Sequence, residues 1–407
     1  MALADPAGDQ LSVLCAKIDH QDGIEVTATV HATAFLWLGW NGKSIEPARG
    51  TRFTVAGRLP PDVRVRWLVQ PYRMAGPARP KGLDVKAAIY ERTGAAREVL
   101  RVTEVDRPEP GPGEVRVRLR VSGVNPTDWK TRAGATPRPV DEFQIPHHDG
   151  AGEIDAVGPE VDPGRVGQRV WVWFAAFGQR WGTAAQWTVV PEHRAVPLPD
   201  LASFELGATL GVPALTAYRC LFADGPLANK TVLVAGGAGA VGHFAIELAK
   251  YSDARVLATV SSAEKAELAS KAGADAVVNY RASDAVDQVR SFARQFDRVV
   301  EVALGANLSL DLAVSGPGTV IVTYAAEPQD PVLPVRACMT ANVSLRFVLL
   351  YGVPGSFMAT AVHEVSSALA AGALSELPPH RFSLDDIAAA HEAVESGAVG
   401  KVLIDIP

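Results

Sequence analysis

The sequence predicts an α/β fold in which a β-rich part is followed by a doubly wound parallel sheet. Three observations point to it. The run Glu114–Val121 alternates apolar and charged residues, as a strand with one wet face does. Beyond Phe204, short continuous apolar runs alternate with helical patterns, which marks a parallel sheet covered on both faces. Between the first such run and its helix stands a glycine-rich turn, Gly236-Gly-Ala-Gly239-Ala-Val-Gly242.

Composition narrows the function classes. A chain of 407 residues predicts two or three domains with sizeable cores. With 48% hydrophobic and 21% charged residues it is not a wholly disordered chain. Its 36 glycines and 29 prolines are too few for a collagen-like or low-complexity protein. A net charge of −6 argues against nucleic acid or an acidic membrane as the main partner. Cys15, Cys220 and Cys338 lie far apart with no CxxC pair, which excludes a disulfide framework and suits a reducing cytoplasm. No run reaches the roughly 18 apolar residues of a membrane span, and the start Met1-Ala-Leu-Ala-Asp-Pro lacks a signal peptide's basic region. A soluble, cytoplasmic protein is expected.

Taken in order, residues 1–84 show no sustained period. The segment Ala34–Trp40 is apolar but short. This stretch reads as an N-terminal extension of unknown order; partial disorder, a small extra domain and a start site placed too far upstream stay open. From Val85 to about Leu201, strand-like runs are separated by breaks such as Pro108–Gly113 and Pro163-Gly164. A helix is expected to start in Glu205–Leu215. Then come the strand Thr231–Ala235, a helix through Lys250, the strand Arg255–Val260, a helix through Glu264–Ala272 and the strand Ala276–Val278. Asp297–Glu301 and Gly318–Val322 continue the series, and no internal repeat appears.

The glycine turn predicts a dinucleotide site, because strand, glycines and helix follow one another in one unit. Gly236 permits the tight turn, Gly239 lets backbone approach a pyrophosphate, and Gly242 lets helix and strand pack closely. The helix start, with Ala240 and Val241, offers N–H groups and a partial positive charge to phosphates. An NAD site would place a carboxylate near the end of the second strand. Here that strand ends Ala258-Thr-Val-Ser-Ser262, and the next acid, Glu264, lies in the helix. Ser261 and Ser262 can donate to a 2′-phosphate, Lys265 can supply charge, and Arg281 beside Tyr280 is a second candidate cation. NADP(H) is therefore the expected cofactor, with Lys265 as an ordinary solvated helix residue the alternative.

From Val85 to Pro407 the chain resembles the zinc-independent quinone oxidoreductases, the ζ-crystallin type of the medium-chain dehydrogenase/reductase superfamily. The matching stretches are Gly123-Val-Asn-Pro-Thr-Asp128, Asp149–Gly158, Leu215–Arg219, the glycine turn, Lys271–Asp275, Glu301 to Leu308 and Gly400-Lys401. The resemblance implies a Rossmann domain, residues 204–351, inserted in a β-rich GroES-like catalytic domain made of residues 85–203 and 352–407. It also implies a cofactor in the cleft and a homodimer paired through an edge strand, expected at Val343–Leu350, although that run could equally be internal. In related alcohol dehydrogenases a catalytic zinc needs three protein ligands. His148 matches one ligand position, but Asn125 and Val212 stand at the other two, so no metal is expected and His148 reads as structural or pocket-lining.

Without a Lewis acid, hydride transfer from NADPH to a quinone or an α,β-unsaturated carbonyl needs only positioning and polar donors. Asn125 is the residue the resemblance implies for orienting substrate or cofactor. Lys130 could donate to the forming oxyanion or to the cofactor ribose, and Asp128 either joins them, fixes Lys130 or only caps its helix. Trp129 lines the pocket or belongs to the core. Tyr280 resembles a tyrosine near the adenosine phosphate and Asn307 a cofactor-contacting asparagine, while Lys401 could approach the cofactor. Thr323 and Tyr324 follow a strand where open α/β sheets bind ligand. His147 and Gln168 depart from the family pattern. Quinone reduction is the leading reading. Reduction of enones or enoyl thioesters, and a non-catalytic NADPH-binding, regulatory or RNA-binding role, are the alternatives. Arg116, Arg118 and Arg120 read as a solvated strand face.

Overall fold

The computed structural model describes residues 84–135, 139–327 and 329–407, together with three strands nearer the N-terminus. Two compact units cluster separately, Met1–Pro80 and Lys81–Pro407. In the first, Ala16–Asp19, Gly23–Ala28 and Phe53–Val55 form an antiparallel sheet in chain order. In sequence Ile24 and Val26 alternate with Glu25 and Thr27, a run too short to make a sustained period. The apolar segment Ala34–Trp40 lies outside the described residues.

In the second unit the strand Glu114–Gly123 buries Val115, Val117, Leu119 and Val121, which organises a seven-stranded sheet. Asp149–Val157 and Trp187–Pro191 pair with it antiparallel. So does the C-terminal strand Lys401–Asp405, through Leu403 opposite Gly123. Both ends of the unit therefore build one β-rich sheet. Arg116 departs from the expected solvated face. It is 5% exposed, held by Asp155 at 2.8 Å and Glu109 at 2.8 Å, because neighbouring acids neutralise it inside. Arg118 and Arg120 do face outward.

Between those ends lies a parallel six-stranded sheet. Its spatial order is Ala276–Asn279, Arg255–Val260, Thr231–Ala235, Arg298–Glu301, Val320–Thr323 and Ser344–Phe347. Numbered along the chain this is 3-2-1-4-5-6, the doubly wound order whose crevice opens outside the carboxyl ends of the central strands. The apolar runs give strands buried on both faces, Val232, Leu233 and Val234 being at most 1% exposed. Ser344–Phe347 is an edge strand, not an internal one. The helix expected in Glu205–Leu215 is broken: Phe204–Gly207 is followed by a π-helical turn, Leu210–Ala214, containing Pro213. Proline removes a backbone donor and crowds the preceding turn, so regular α-helix resumes only at Leu215–Phe222. Among the described residues no helix is long and apolar enough to cross a membrane.

Candidate active site

The glycine turn takes the geometry its residues permit. Gly236 adopts φ +68°, open to glycine at no steric cost. A Cβ at Gly242 would stand 2.3 Å from the Gly236 carbonyl oxygen, so only glycine lets this helix approach its strand. At Gly239 a Cβ would meet nothing nearer than 3.4 Å and would fill the space a pyrophosphate needs. Gly239 is also the cap of helix Ala240–Tyr251 and has no side chain to accept from it. The first intrahelical bond is His243 N–H to Gly239 O at 2.8 Å. The amides of Ala240, Val241 and Gly242 precede it and are free to serve an anion. These features fit a dinucleotide.

At the end of the next strand, Ser262 caps helix Ala263–Lys271 by accepting from Lys265 N–H at 3.3 Å. The Lys265 ammonium reaches back to Ser261 Oγ at 3.2 Å, so lysine and both serines share one strand end. Tyr280 joins them through its N–H to Val260 O at 3.0 Å, with the Arg281 guanidinium 5.9 Å from its ring centre. Glu264 is exposed. The structure thus gathers the four sequence-predicted groups at one strand end.

Other predicted cofactor contacts are engaged elsewhere. The Asn307 amide donates to Oε1 of the buried Glu301 at 2.9 Å, at the end of its strand. Thr323 is 7% exposed and its hydroxyl turns onto Ala325 O at 3.4 Å, while Tyr324 N–H donates to Glu301 O at 3.2 Å. Lys401 lies deeper. It is 3% exposed and its ammonium donates to Asn125 Oδ1 at 2.6 Å. The pairing of its strand with the strand before Asn125 carries it there, and two buried carboxylates draw it inward.

Those carboxylates and Asn125 form a buried cluster. Asn125 Nδ2 donates to Asp149 Oδ2 at 2.7 Å, and Asp149 also accepts from Val212 N–H at 2.9 Å and 3.0 Å. Asp128 accepts from Asn125 N–H at 2.7 Å and from the backbone of His148. Burial lifts Asp149 to about 6 against the pull of Lys401. Burial, then the Asp149 charge, raises Asp128 well above the carboxylate range, and burial lowers Lys401. The two carboxyls and the ammonium share this space, so their titrations depend on one another. Asn125 is therefore a buried link, 1% exposed with both ends of its amide used, rather than an open substrate contact. Asp128 caps its helix and does not fix Lys130. The Lys130 ammonium lies 5.9 Å from the Trp129 ring centre.

Beside this cluster is an aromatic wall that the sequence did not disclose. Phe174, Phe177, His148 and Tyr351 pack with ring centres 4.7 to 6.0 Å apart. Tyr351 follows the last strand of the nucleotide sheet and reaches Thr127, whose Oγ1 accepts from its hydroxyl at 3.1 Å. Phe174 holds φ +55°, a strained value for a bulky residue, and turns its ring into the wall. His147, at φ +77°, is buried. Its Nδ1 meets Ser122 Oγ at 2.8 Å and its Nε2 meets His391 Nε2 at 3.0 Å, so it anchors the strand start beneath the wall. Gln168, the other departure, only takes Arg165 Nε at 2.9 Å in its turn.

The donor set does not fit a catalytic zinc. Asn125 is bound within the cluster, Val212 offers only its backbone, and the Asp149 carboxylate bridges the two. Among the described residues no three histidine, cysteine or acidic side chains converge as metal ligands.

Two family profiles match in sequence order, an alcohol dehydrogenase GroES-like domain over residues 111–200 and a zinc-binding dehydrogenase domain over residues 240–367. The quinone oxidoreductase of Lama guanicoe is 30% identical over 314 residues, covering 75% of this chain and 93% of that protein. A mycobacterial protein solved in complex with NADPH superposes with TM-score 0.68 at 28% identity, covering 79% of this chain and 99% of that one. The quinone oxidoreductase of Pseudomonas syringae pv. tomato gives TM-score 0.69 at 26% identity, with coverage of 79% and 99%. With an inserted doubly wound sheet, a glycine-built nucleotide turn and a relative of this identity over nearly its whole length, the chain belongs to the ζ-crystallin-type quinone oxidoreductases of the medium-chain dehydrogenase/reductase superfamily.

Proposed function

We propose that this protein is an NADPH-dependent quinone oxidoreductase that works without zinc. The observations that carry the reading are an uncapped, glycine-built helix start and an aromatic wall tied through Tyr351 to Thr127. NADPH, when bound, supplies the hydride. The chain's own residues do the rest. The amides of Ala240, Val241 and Gly242 hold the pyrophosphate, and Ser261, Ser262 and Lys265 receive the 2′-phosphate, with Tyr280 beside the adenosine. The wall of Phe174, Phe177 and Tyr351 stacks a flat acceptor and keeps water from it. Asn125, Asp128, Asp149 and Lys401 hold the floor of the cleft rigid from below.

Residues 85–203 and 352–407 are read as the catalytic domain and 204–351 as the nucleotide domain. The edge strand Ser344–Phe347, with Phe347 69% and Leu349 71% exposed, supports a homodimer formed along that edge. Cys220 is buried and free, its thiol pushed up to about 12 by burial, which suits a cytoplasmic setting. The acidic net charge favours a small-molecule substrate over RNA.

The test is steady NADPH oxidation with a 1,4-quinone and with an enone, with and without a zinc chelator. Turnover of the quinone, unaffected by chelator, is expected; turnover of the enone alone would replace this substrate class. Lys265→Ala should raise KM for NADPH about tenfold and leave KM for NADH within twofold, since about 1.4 kcal/mol of charge pairing is removed. Equal changes would take Lys265 out of the site.

A further inference from the structure

We propose that Tyr351 and Thr127 are catalytic residues, a hydroxyl pair that binds the acceptor oxygen and gives it a proton. The inference rests on the quinone reading above and adds the missing acid. Hydride uptake leaves a quinone as an oxyanion that still needs one proton. The ammonium of Lys130, the sequence's candidate donor, lies 5.9 Å from the Trp129 ring centre. The buried Lys401 ammonium is already spent on Asn125.

The hydroxyl pair meets the requirements by position. Thr127 lies in the first turn of helix Pro126–Ala133, directly after Asn125, where the floor of the cleft is held. Tyr351 lies in the turn Leu350–Gly352, just beyond the carboxyl end of the strand Ser344–Phe347. Ligands of open α/β sheets bind along that edge. The contact therefore spans the two parts of the fold across the cleft, and both side chains are half-buried, within reach of a ligand. Direction also matters. Tyr351 donates to Thr127 Oγ1, which leaves the Thr127 hydrogen to point at a third oxygen. The rings of Phe174 and Phe177, centred 4.7 and 5.3 Å from that of Tyr351, supply an apolar stacking surface beside the pair.

The step balances. The quinone takes two electrons and one hydrogen as hydride from the reduced nicotinamide and becomes a hydroquinone monoanion. The Thr127 O–H bond breaks as a new O–H bond forms on that oxyanion. The Tyr351 proton passes to Thr127 Oγ1, and water reprotonates Tyr351. Hydroxyls already oriented on a developing oxyanion lower its barrier at no reorganisation cost.

Tyr351→Phe and Thr127→Val keep the shapes and remove only the hydroxyls. With 1,4-naphthoquinone each should lower kcat about 10- to 100-fold, with the NADPH dissociation constant unchanged within twofold. With a tetrahalogenated benzoquinone, whose reduced oxygen is a far weaker base, the loss should shrink below about threefold. Each variant should also bind 4-nitrophenolate, followed by its absorbance, about tenfold more weakly. Equal losses on both quinones, or none, with unchanged phenolate binding, would overturn the proposal and leave Tyr351 a packing residue. A wild-type enzyme that reduces enones but no quinone would sink the quinone reading alone. The same variants would then be judged by kcat on the enone, where an unchanged value overturns the pair as well.

Discussion

The glycine turn and the cluster around Asn125 both serve the cleft with polar groups, but they are assembled in opposite ways. The turn is seven consecutive residues acting mostly through backbone, and its requirements are steric: Gly236 needs a positive φ and Gly242 needs the absence of a Cβ. The cluster joins side chains and a backbone amide from four distant segments; Asn125 and Lys401 are 276 residues apart in the chain. Its requirements are electrostatic, since every member is buried and each charge depends on the others. A local device should fail locally, whereas a convergent one should fail as a unit.

The largest effect expected follows from the turn. In Gly242→Ala the new methyl meets the Gly236 carbonyl oxygen at 2.3 Å, so strand and helix must separate. Isothermal titration should find NADPH affinity reduced about hundredfold, roughly 2.7 kcal/mol, because the amides no longer converge on the phosphates. Overpacking of this kind costs about 1–3 kcal/mol of stability. An affinity within threefold of wild type would show that the turn does not hold the cofactor.

Asn125→Ala should give the reverse profile. It strips the Lys401 ammonium and the Asp149 carboxylate of their shared partner inside the protein. Denaturant unfolding should register a loss of about 2–4 kcal/mol. kcat/KM for a quinone should fall more than tenfold, about 1.4 kcal/mol in the transition state, as the helix carrying Thr127 loses its anchor. NADPH affinity should stay within about threefold. If this variant lost cofactor as severely as Gly242→Ala, the two regions would be one device and the comparison would break.

The same contrast explains what the sequence made legible. Strand Arg255–Val260 and the glycine turn are contiguous patterns whose physics is local, and they were readable residue by residue. Ser261, Ser262, Lys265 and Tyr280 were readable because they follow strand ends whose positions the parallel order dictates. The role of Lys401 was not. Its strand looks like any short apolar strand, and only antiparallel pairing with Glu114–Gly123 sets it beside Asn125. The Tyr351–Thr127 contact was hidden for the same reason, and the strained φ of Phe174 leaves no trace in residue type. Where the Lys130 ammonium settles, beside the Trp129 ring, is not legible either, since it depends on side-chain packing. The proposed domain limits and dimer edge belong to the same long-range category.

The effect farthest from the cleft chemistry concerns a second buried pair, at the carboxyl end of the strand Arg298–Glu301. Glu301 and Asp311 are 0% and 1% exposed, and burial raises both carboxyl groups above their ordinary range. Burial, and then the Glu301 charge, lifts Asp311 to about 9. In the unfolded chain Asp311 ionises near 3.8. Between these values the folded state holds a proton that the unfolded state has released. The stabilising contribution is therefore complete below about pH 4 and declines until the pH passes about 9. A single proton limits the slope to about 1.4 kcal/mol per pH unit. Asp311→Asn keeps the side chain's size without the titration, so its unfolding free energy should change less between pH 6 and pH 9 than that of wild type. Parallel curves for the two proteins would mean that this pair ionises as it does in water. Convergent polar groups would then shift one another's titration in the Asn125 cluster alone.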